Sequence, residues 1–347
     1  MSERMLRLRK AAVGKADCVP VTAQISHHAA RLASETTEQF YTDAETFLAC
    51  ELHAAELYEL DSIPTHYDLY NIEAEALGAS LIWKQNETPE ADPSHPLLRS
   101  VDGWRKLRGL RIGEAGRMPF VLEINRRLID MGLAAKVRFC GPVTLAAKLL
   151  GLEKLLVACV TKPQGVHGLM TFLTDEVIAP WITCQREQCG SNETAAGADA
   201  YASAPIMTPQ MIRQFCLAYV QRLEKLVGNV RLAAIWGERH CENPRELLDI
   251  KRLAYPGVLQ ALDPDVTALG PALYKAYADE YGMSLVMGMD AGLIQRGPTK
   301  EIKARARWFI DQAGGNGRFV LFLNDVPYAT PSQHVHAAVA AAHEYRY

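Results

Sequence analysis

The chain has 347 residues, of which 49% are hydrophobic and 22% are charged, and its formal net charge is −3 at pH 7. This composition predicts a globular protein with a sizeable core, and the small negative charge gives no electrostatic basis for binding nucleic acid or a membrane surface. No run of about 18 apolar residues occurs, and the charged N-terminus lacks the apolar segment of a signal peptide, so we expect a cytoplasmic protein without a transmembrane helix.

Eight short segments are positioned as buried strands, although the second contains Pro64 and the fourth is rich in alanine. They are residues 19–24, 62–66, 135–140, 198–202, 232–236, 257–261, 284–289 and 319–323. Helical periodicity or capping signals mark the stretches between most of them. The predicted helices cover residues 2–14, 36–60, 72–77, 119–131, 144–150, most of 153–188, 208–228, a helix from Asn243, 271–281, 299–312 and a last helix from Thr330.

Alternation of strands and helices along the whole chain is typical of an α/β protein with a parallel sheet. Eight such units predict a single-domain (β/α)8 TIM barrel over residues 1–347. Residues 84–118 form the longest irregular stretch, and long loops of this kind often serve as lids or binding loops.

The stretch from Arg231 to Leu248 has the form of a strand, a polar loop and a helix. Glu238, His240 and Cys241 lie in the loop, where the active sites of parallel α/β proteins are built. All three side chains are of types that bind metals or move protons. In an extended backbone Cys241 would point away from the other two, so a metal site that uses all three requires a bend.

Polar side chains also follow other predicted strands. In a barrel these strand ends converge on one mouth, so we predict that the side chains form a site together, although each alone is typical of a helix cap or turn. The residues are His66, Tyr67, Asp68 and Asn71 after the second strand, Asp263 and Asp265 after the sixth, Asp290 after the seventh, and Asn324 and Asp325 after the eighth.

Several short motifs, in this order along the chain, resemble the uroporphyrinogen decarboxylase superfamily. They are Tyr67-Asp68, residues 73–78, residues 141–145, residues 297–302 and Thr330-Pro331. The resemblance covers nearly the whole chain and implies a (β/α)8 barrel, in agreement with the strand count.

One branch of this superfamily decarboxylates uroporphyrinogen and carries arginines after the first strand for the carboxylates of its substrate. The matching stretch here begins at Gln24 and contains no arginine before Arg31. A site for eight carboxylates without those arginines would leave much charge unpaired. Decarboxylation is therefore disfavoured, although Asp68 matches the pocket aspartate of that branch.

The other branch contains cobalamin-dependent methyltransferases. Members that act on coenzyme M use a His-x-Cys after strand five and a further cysteine after strand eight to hold zinc. Here strand five leads to Glu238-Arg239-His240-Cys241, and strand eight to Asn324-Asp325. The Trp236-Gly237-Glu238 segment is more similar to the methyltransferases that begin O-demethylation of methoxylated aromatics, which pass the methyl group to a corrinoid carried by a small separate protein.

This resemblance implies a methyltransferase with a small methyl donor and a corrinoid-binding partner protein. An aryl ether oxygen leaves readily only when it is protonated or bound to a Lewis acid, so a zinc ion or a carboxylic acid is expected. Glu238, His240 and Cys241 are the candidate zinc ligands, and Glu238 and Asp68 the candidate catalytic groups. If Glu238 fills either role, Glu238→Gln should lower turnover by about 100-fold or more.

The remaining candidates, as substrate-binding residues, are His66, Tyr67, Asn71, Asp290 and Asp325. Two alternatives stand beside this hypothesis. One is a uroporphyrinogen-type decarboxylase of tetrapyrrole biosynthesis. The other is a non-catalytic barrel that only binds a tetrapyrrole or a corrinoid protein, which the density of acidic groups at the mouth disfavours.

Overall fold

The computed structural model describes residues 3–107 and 109–347, so the predicted start of the first helix at residue 2 and Arg108 in the long loop lie outside the described residues. The strands are β1 (Val21–Ala23), β2 (Leu81–Ile82), β3 (Glu90–Ala91), β4 (Arg138–Cys140), β5 (Ala195–Ala198), β6 (Val230–Ala233), β7 (Val258–Leu262), β8 (Ser284–Met289) and β9 (Phe319–Leu323).

The α-helices are α1 (Glu3–Ala12), α2 (His27–Leu32), α3 (Thr37–Thr42), α4 (Ala44–Leu57), α5 (Ile72–Ala76), α6 (Met118–Asp130), α7 (Pro142–Leu150), α8 (Leu152–Thr161), α9 (Pro163–Phe172), α10 (Ala179–Cys189), α11 (Pro209–Ile212), α12 (Ala218–Val227), α13 (Pro244–Ala254), α14 (Asp265–Leu269), α15 (Pro271–Glu280), α16 (Ala291–Arg296), α17 (Thr299–Ala313) and α18 (Ser332–His343). Short 3₁₀-helices cover Gly103–Lys106 and Glu238–His240, and π-helical segments cover Leu173–Ile178 and Arg213–Leu217. None of the helices in the described part is both long and apolar enough to cross a bilayer.

Seven of these strands are parallel to their neighbours and form two sheets, in the orders β1-β9-β8-β7 and β4-β5-β6. The β2 and β3 strands pair with each other as a small antiparallel hairpin. Both parallel sheets line one central cavity, with helices following the strands. The fold is therefore a (β/α)8 barrel, which confirms the prediction from strand–helix alternation.

The second predicted strand, residues 62–66, does not form a hydrogen-bonded strand. Pro64 has no amide hydrogen to donate, and Thr65 has a left-handed backbone with φ of 49°. The segment still lies beside β1, because the amide of Asp61 donates to the carbonyl of Val21 at 2.9 Å. It occupies the position of a barrel strand but does not form the regular hydrogen bonds of a sheet.

Local signals placed several helix boundaries correctly. The side chain of Thr36 accepts a hydrogen bond from the amide of Gln39, and that of Asn243 accepts one from the amide of Arg245, so both cap helices as predicted. The predicted helix of residues 36–60 is instead two helices. Asp43 between them has an extended backbone and caps α4 through the amide of Thr46.

Candidate active site

A cavity of about 330 Å³ lies at the carboxyl end of the barrel strands. Its lining comes from β4, β5, β6, β7 and β9, from the segment after β1 and the loops that follow several other strands, and from the β2–β3 hairpin region. Residues far apart in sequence therefore face one space. Its volume is near the lower end of the roughly 300–1,000 Å³ typical of small-molecule sites.

Small side chains on two neighbouring strands leave room for this cavity. Ala196, Gly197 and Ala198 of β5 line it, and so do Ala233 and Ala234 at the end of β6. Alanine and glycine are poor strand formers, because they offer little side-chain packing on a sheet. Here the same property prevents the barrel interior from filling with side chains.

Most of the residues predicted at the mouth line this cavity, namely His66, Tyr67, Asp68, Asn71, Asn324 and Asp325. Asp290 is not among the lining residues. Its carboxylate accepts a hydrogen bond from the amide of Leu293 at 2.7 Å and caps α16. Asp290 therefore has the helix-capping role that polar residues after strands often have.

Asp68 is held in a buried ion pair. Its two carboxylate oxygens accept hydrogen bonds from Nη1 and Nη2 of Arg117, both at 2.7 Å, and Nε of Arg117 donates to Glu75 at 2.7 Å. Burial raises the pKa of Asp68, and the adjacent guanidinium opposes that rise. Because both oxygens are occupied, Asp68 is poorly placed to donate a proton or bind a metal.

Asn71 holds the hairpin over the cavity. Its amide nitrogen donates to the carbonyl of Pro89 at 2.9 Å, and its amide oxygen accepts from the amide of Ala91 at 3.1 Å. These bonds tie the end of segment 61–71 to β3. The Asn71 side chain, which was predicted to bind substrate, thus positions the wall of the cavity.

His66 is neutral at physiological pH. Burial and the nearby cations Arg138 and Lys136 lower the pKa of His66 to about 3. Its Nδ1 atom is buried without a hydrogen-bond partner among the described residues. Burial also raises the pKa of Tyr67, so that its hydroxyl stays protonated.

Among the cavity-lining carboxyl groups of the described chain, Asp325 has no counterion within residues 3–107 and 109–347. It follows β9 with a left-handed backbone, at φ of 63°, which is a strained conformation for a residue with a side chain. Within the described part of the chain it has no side-chain hydrogen bond or ion pair, and burial raises its pKa. A half-buried carboxyl whose pKa is raised keeps its proton to a higher pH than a free aspartate does, which suits a proton donor.

Glu238 is fully buried but is not among the cavity-lining residues. Its Oε1 atom forms an ion pair with Nζ of Lys251, and that ammonium lies 4.8 Å from the centre of the Trp236 ring, which does line the cavity. Burial raises the pKa of Glu238, the Lys251 ammonium opposes this, and neighbouring Asp265 adds to it. Glu238 therefore lies behind the wall to which Trp236 belongs.

His240 and Cys241 do not join Glu238 in a ligand set. The side chain of His240 is exposed, and the thiol of Cys241 donates to the carbonyl of Gly237 at 3.8 Å. Across residues 3–107 and 109–347, no three His, Cys, Asp or Glu side chains are arranged to hold a metal ion. The predicted zinc ligands thus do not fit a common ion in this arrangement.

Gly237 explains why the polar loop bends away from the cavity. It has a φ of 100°, and a Cβ atom there would lie 2.0 Å from the carbonyl oxygen of Ala204. Only glycine fits this turn. Its amide donates to Asp265 at 2.7 Å, so Asp265 anchors the loop instead of serving the cavity.

The motif at residues 141–145 has a structural explanation. Asp199, at the end of β5, accepts hydrogen bonds from the amides of Val143 at 3.1 Å and Thr144 at 2.6 Å, and so caps the buried start of α7. A Cβ atom at Gly141 would lie 2.3 Å from that of Asp199. These contacts hold the start of α7 against the end of β5.

Sequence analysis did not select Arg117 or Arg138. Arg138 stands between the apolar residues Val137 and Phe139. A charged residue at such a position in a strand predicts a polar group inside the barrel. Arg117 has no such signal, because only the folded chain brings it to Asp68, which lies 49 residues earlier.

The strand topology and the polar cavity at the strand ends define a parallel α/β barrel with its site at the mouth. The chain belongs to the uroporphyrinogen decarboxylase (URO-D) family, which it matches over residues 2–345. The resemblance drawn from the sequence motifs is confirmed.

Two curated relatives are methyltransferases. The chain is 25% identical over 239 residues to the methylated-thiol–coenzyme M methyltransferase of Methanosarcina mazei, covering 65% of this chain and 61% of that protein, which is less than two thirds of its length. It is 26% identical over 248 residues to the methylcobamide:CoM methyltransferase MtaA of Methanosarcina barkeri, covering 69% and 71%.

A solved structure has the same fold. A methyltransferase from Methanosarcina mazei superposes with a TM-score of 0.77 and 21% sequence identity, covering 98% of each chain. At this identity the similarity establishes the barrel architecture over the full length.

Proposed function

We propose that the protein transfers a methyl group from a small methoxylated aromatic donor to a corrinoid carried by a separate small protein. The observation that carries this proposal is the Asp325 carboxyl in the mouth cavity, which is unpaired within the described part of the chain and has a pKa raised by burial. Membership of the URO-D family and similarity to two proteins named as corrinoid or coenzyme M methyltransferases support the reaction class.

Asp325 supplies what aryl ether cleavage needs. When docked at the mouth, the partner's corrinoid provides a strong nucleophile for the methyl group. The bond between the methyl carbon and the ether oxygen breaks, and its electron pair stays on the oxygen. The carboxylic acid of Asp325 gives its proton to that oxygen, so the product leaves as a phenol instead of a phenolate.

The cavity suits a ring-shaped donor. Aromatic side chains contribute to its lining, among them Tyr41, Tyr70, Trp236 and Phe322. Aromatic side chains favour an aromatic ligand through stacked or edge-to-face contacts. The volume of about 330 Å³ favours a single-ring donor.

Decarboxylation of uroporphyrinogen is disfavoured by the charges at the mouth. Arg138 is the one lysine or arginine among the described lining residues, and Arg31 donates instead to the carbonyl of Thr330 at 2.8 Å. Asp68 is neutralised by Arg117. A substrate with eight carboxylates would therefore find too few cations.

Glu238 acts in this proposal as a positioning residue. Its ion pair with Lys251 fixes the ammonium against the ring of Trp236, and Trp236 forms part of the cavity wall. The coenzyme M reaction is not proposed, because no cysteine follows β9, where Asn324 and Asp325 stand instead.

The test is methyl transfer to free cob(I)alamin, followed by the change in its absorption spectrum. Purified protein is incubated with methoxybenzenes that differ in ring substituents, and the demethylated phenol is quantified. Two parallel assays use methylcobalamin with coenzyme M, and uroporphyrinogen III. Methyl transfer from an aryl ether supports the proposal, whereas coproporphyrinogen formation or methyl transfer only to coenzyme M would overturn it.

A further inference from the structure

Arg138 is a cavity-lining cation whose guanidinium has no partner among the described residues. It is the first residue of β4, lies in register with Ala196 of β5 and is half-buried. No ion pair, side-chain hydrogen bond or ring contact joins its guanidinium to another residue of the described chain. Arg117, in contrast, is held by the carboxylates of Asp68 and Glu75.

The titratable groups around Arg138 do not neutralise it. His66 and Tyr67 lie close enough to feel its charge, and both are uncharged, because burial lowers the pKa of His66 to about 3 and raises that of Tyr67. Lys136, on the same stretch of chain, is also cationic. The nearby Nδ1 atom of His66 is buried and has no hydrogen-bond partner in the part of the chain that the structure describes.

The cavity therefore has two chemically different ends. Arg138 lies two residues before the end of β4, in the barrel interior, whereas Asp325 lies two residues beyond the end of β9, at the rim. Parallel strands of a barrel place these positions at different depths. The unpaired cation is deep, and the unpaired acid is near the opening where a partner protein docks.

We propose that the methyl donor carries an anionic substituent, a carboxylate or a sulfonate, which binds the guanidinium of Arg138. The proposal rests on the methyl-transfer function above and names the substrate class of that site. The anionic group lies at the inner end of the cavity, so the methoxy group on the far side of the ring points to the rim and Asp325.

The physical basis is charge compensation. A guanidinium withdrawn from water is destabilised until an anion pairs with it, and its planar fork binds two oxygens of a carboxylate or sulfonate at once. The small Ala196 beside it leaves space for that group. Because the pairing lies in a partly desolvated cavity, it distinguishes charged from neutral donors more strongly than a surface contact.

The experiment measures binding without corrinoid, by calorimetry on the full chain. The probes are 3-methoxybenzoate, 3-methoxybenzenesulfonate and the neutral 3-methoxybenzamide. Arg138→Met removes the charge, Arg138→Lys keeps it, and Arg111→Met is a matched control, because Arg111 is 76% exposed and lies outside the lining of the cavity. Circular dichroism checks that each variant is folded.

The wild-type chain and Arg111→Met should bind the anions at least about 10-fold more tightly than the amide, the size expected for hydrogen bonds to a charged partner. Arg138→Met should lose this preference, and Arg138→Lys should keep part of it. Preference for the carboxylate over the sulfonate, or the reverse, identifies the anion.

Equal binding of acid and amide, absence of binding by both anions, or a preference that survives in Arg138→Met would overturn the proposal. Should Arg138→Met fail to fold, Arg138→Lys decides the question, because an ammonium lacks the planar fork of a guanidinium: a weaker anion preference supports the proposal, and an undiminished one overturns it. An anion preference that depends on Arg138 in a protein that transfers no methyl group would leave the anion site standing and refute the proposed reaction.

Discussion

Asp68 and Arg117 form a two-point ion pair at the barrel mouth, with both oxygen–nitrogen distances at 2.7 Å and side-chain exposures of only 1% and 8%. The pair joins segment 61–71 to the start of α6 and carries Glu75 with it. The pair gives Asp68 a structural role. Asp325 is therefore the cavity carboxyl that has no counterion among the described residues.

Removing one partner of this ion pair should destabilise the folded protein. Arg117→Met leaves a buried carboxylate without a cation, and we expect it to lower the free energy of unfolding by about 3–5 kcal/mol. Urea unfolding measures the change. Asp68→Asn combined with Arg117→Met should recover part of the loss, because no buried charge remains.

Arg126→Met is the control for this prediction. Arg126 is 59% exposed and pairs with Glu123 and Asp130 on the surface of α6. Its loss should change stability far less than Arg117→Met does, because surface ion pairs are screened by solvent. Equal effects of Arg117→Met and Arg126→Met would contradict a structural role for the Asp68–Arg117 pair.

The proton on Asp325 gives the reaction a pH dependence. Burial raises the pKa of Asp325, and the acid works only while protonated. Turnover should therefore be full below this pKa and fall as pH rises through it. Asp325→Asn should lower turnover by about 100-fold or more and abolish this fall, while donor binding persists. The measurement is the rate of methyl transfer across the pH range in which the protein is folded.

Asp311→Asn is the matched control, since Asp311 is an exposed residue on α17. It should leave both the rate and the pH profile unchanged. A normal rate for Asp325→Asn would show that Asp325 is not the proton donor and would leave Glu238 as the candidate.

Glu238 and Lys251 should behave as a coupled pair. Glu238→Gln leaves the Lys251 ammonium, which is 5% exposed, without its carboxylate, so we expect a loss of about 3–5 kcal/mol in stability. In a double-mutant cycle with Lys251→Met, the double variant should be less destabilised than the sum of the single variants. Thermal and urea unfolding give the three values.

Kinetics separate positioning by Glu238 from direct proton donation. As a positioning residue, Glu238 should affect KM and kcat through the wall formed by Trp236 while the pH profile keeps its shape. A Glu238→Gln variant that folds with normal stability and loses the pH dependence would show that Glu238 is the acid.

Glu73 should make stability depend on pH. It is fully buried, its Oε1 atom accepts from the amide of Cys140 at 2.8 Å, and burial raises its pKa to about 8 from 4.5. Between these values the folded chain keeps a proton that the unfolded chain has released, so stability falls as pH rises. The slope attributable to Glu73 is at most about 1.4 kcal/mol per pH unit.

Glu73→Gln keeps the acceptor for Cys140 but cannot ionise. The variant should therefore lose less stability than the wild type between pH about 4.5 and about 8. Urea unfolding at several pH values measures the difference between the two proteins. Parallel stability curves for the two would show that Glu73 does not titrate in this range.

The sequence by itself determined the architecture. Strand–helix alternation predicted the barrel, and the cap residues Thr36 and Asn243 marked helix starts, because these signals act over a few neighbouring residues. The positions of His66, Asp68 and Asp325 at strand ends also predicted that they face one mouth. Strand two differed, because Pro64 cannot join a ladder and Thr65 takes a left-handed backbone.

Only the tertiary structure decided which polar groups are paired. Asp68 is neutralised by an arginine 49 residues away and Glu238 by Lys251, whereas Asp290 accepts a hydrogen bond from a helix amide. Asp325 and Arg138 remain unpaired among the residues that the structure describes. These distances cannot be predicted from the residues that neighbour each group in the sequence. The effect of a charge depends on burial and on partners within a few ångströms, and chain segments remote in sequence supply both.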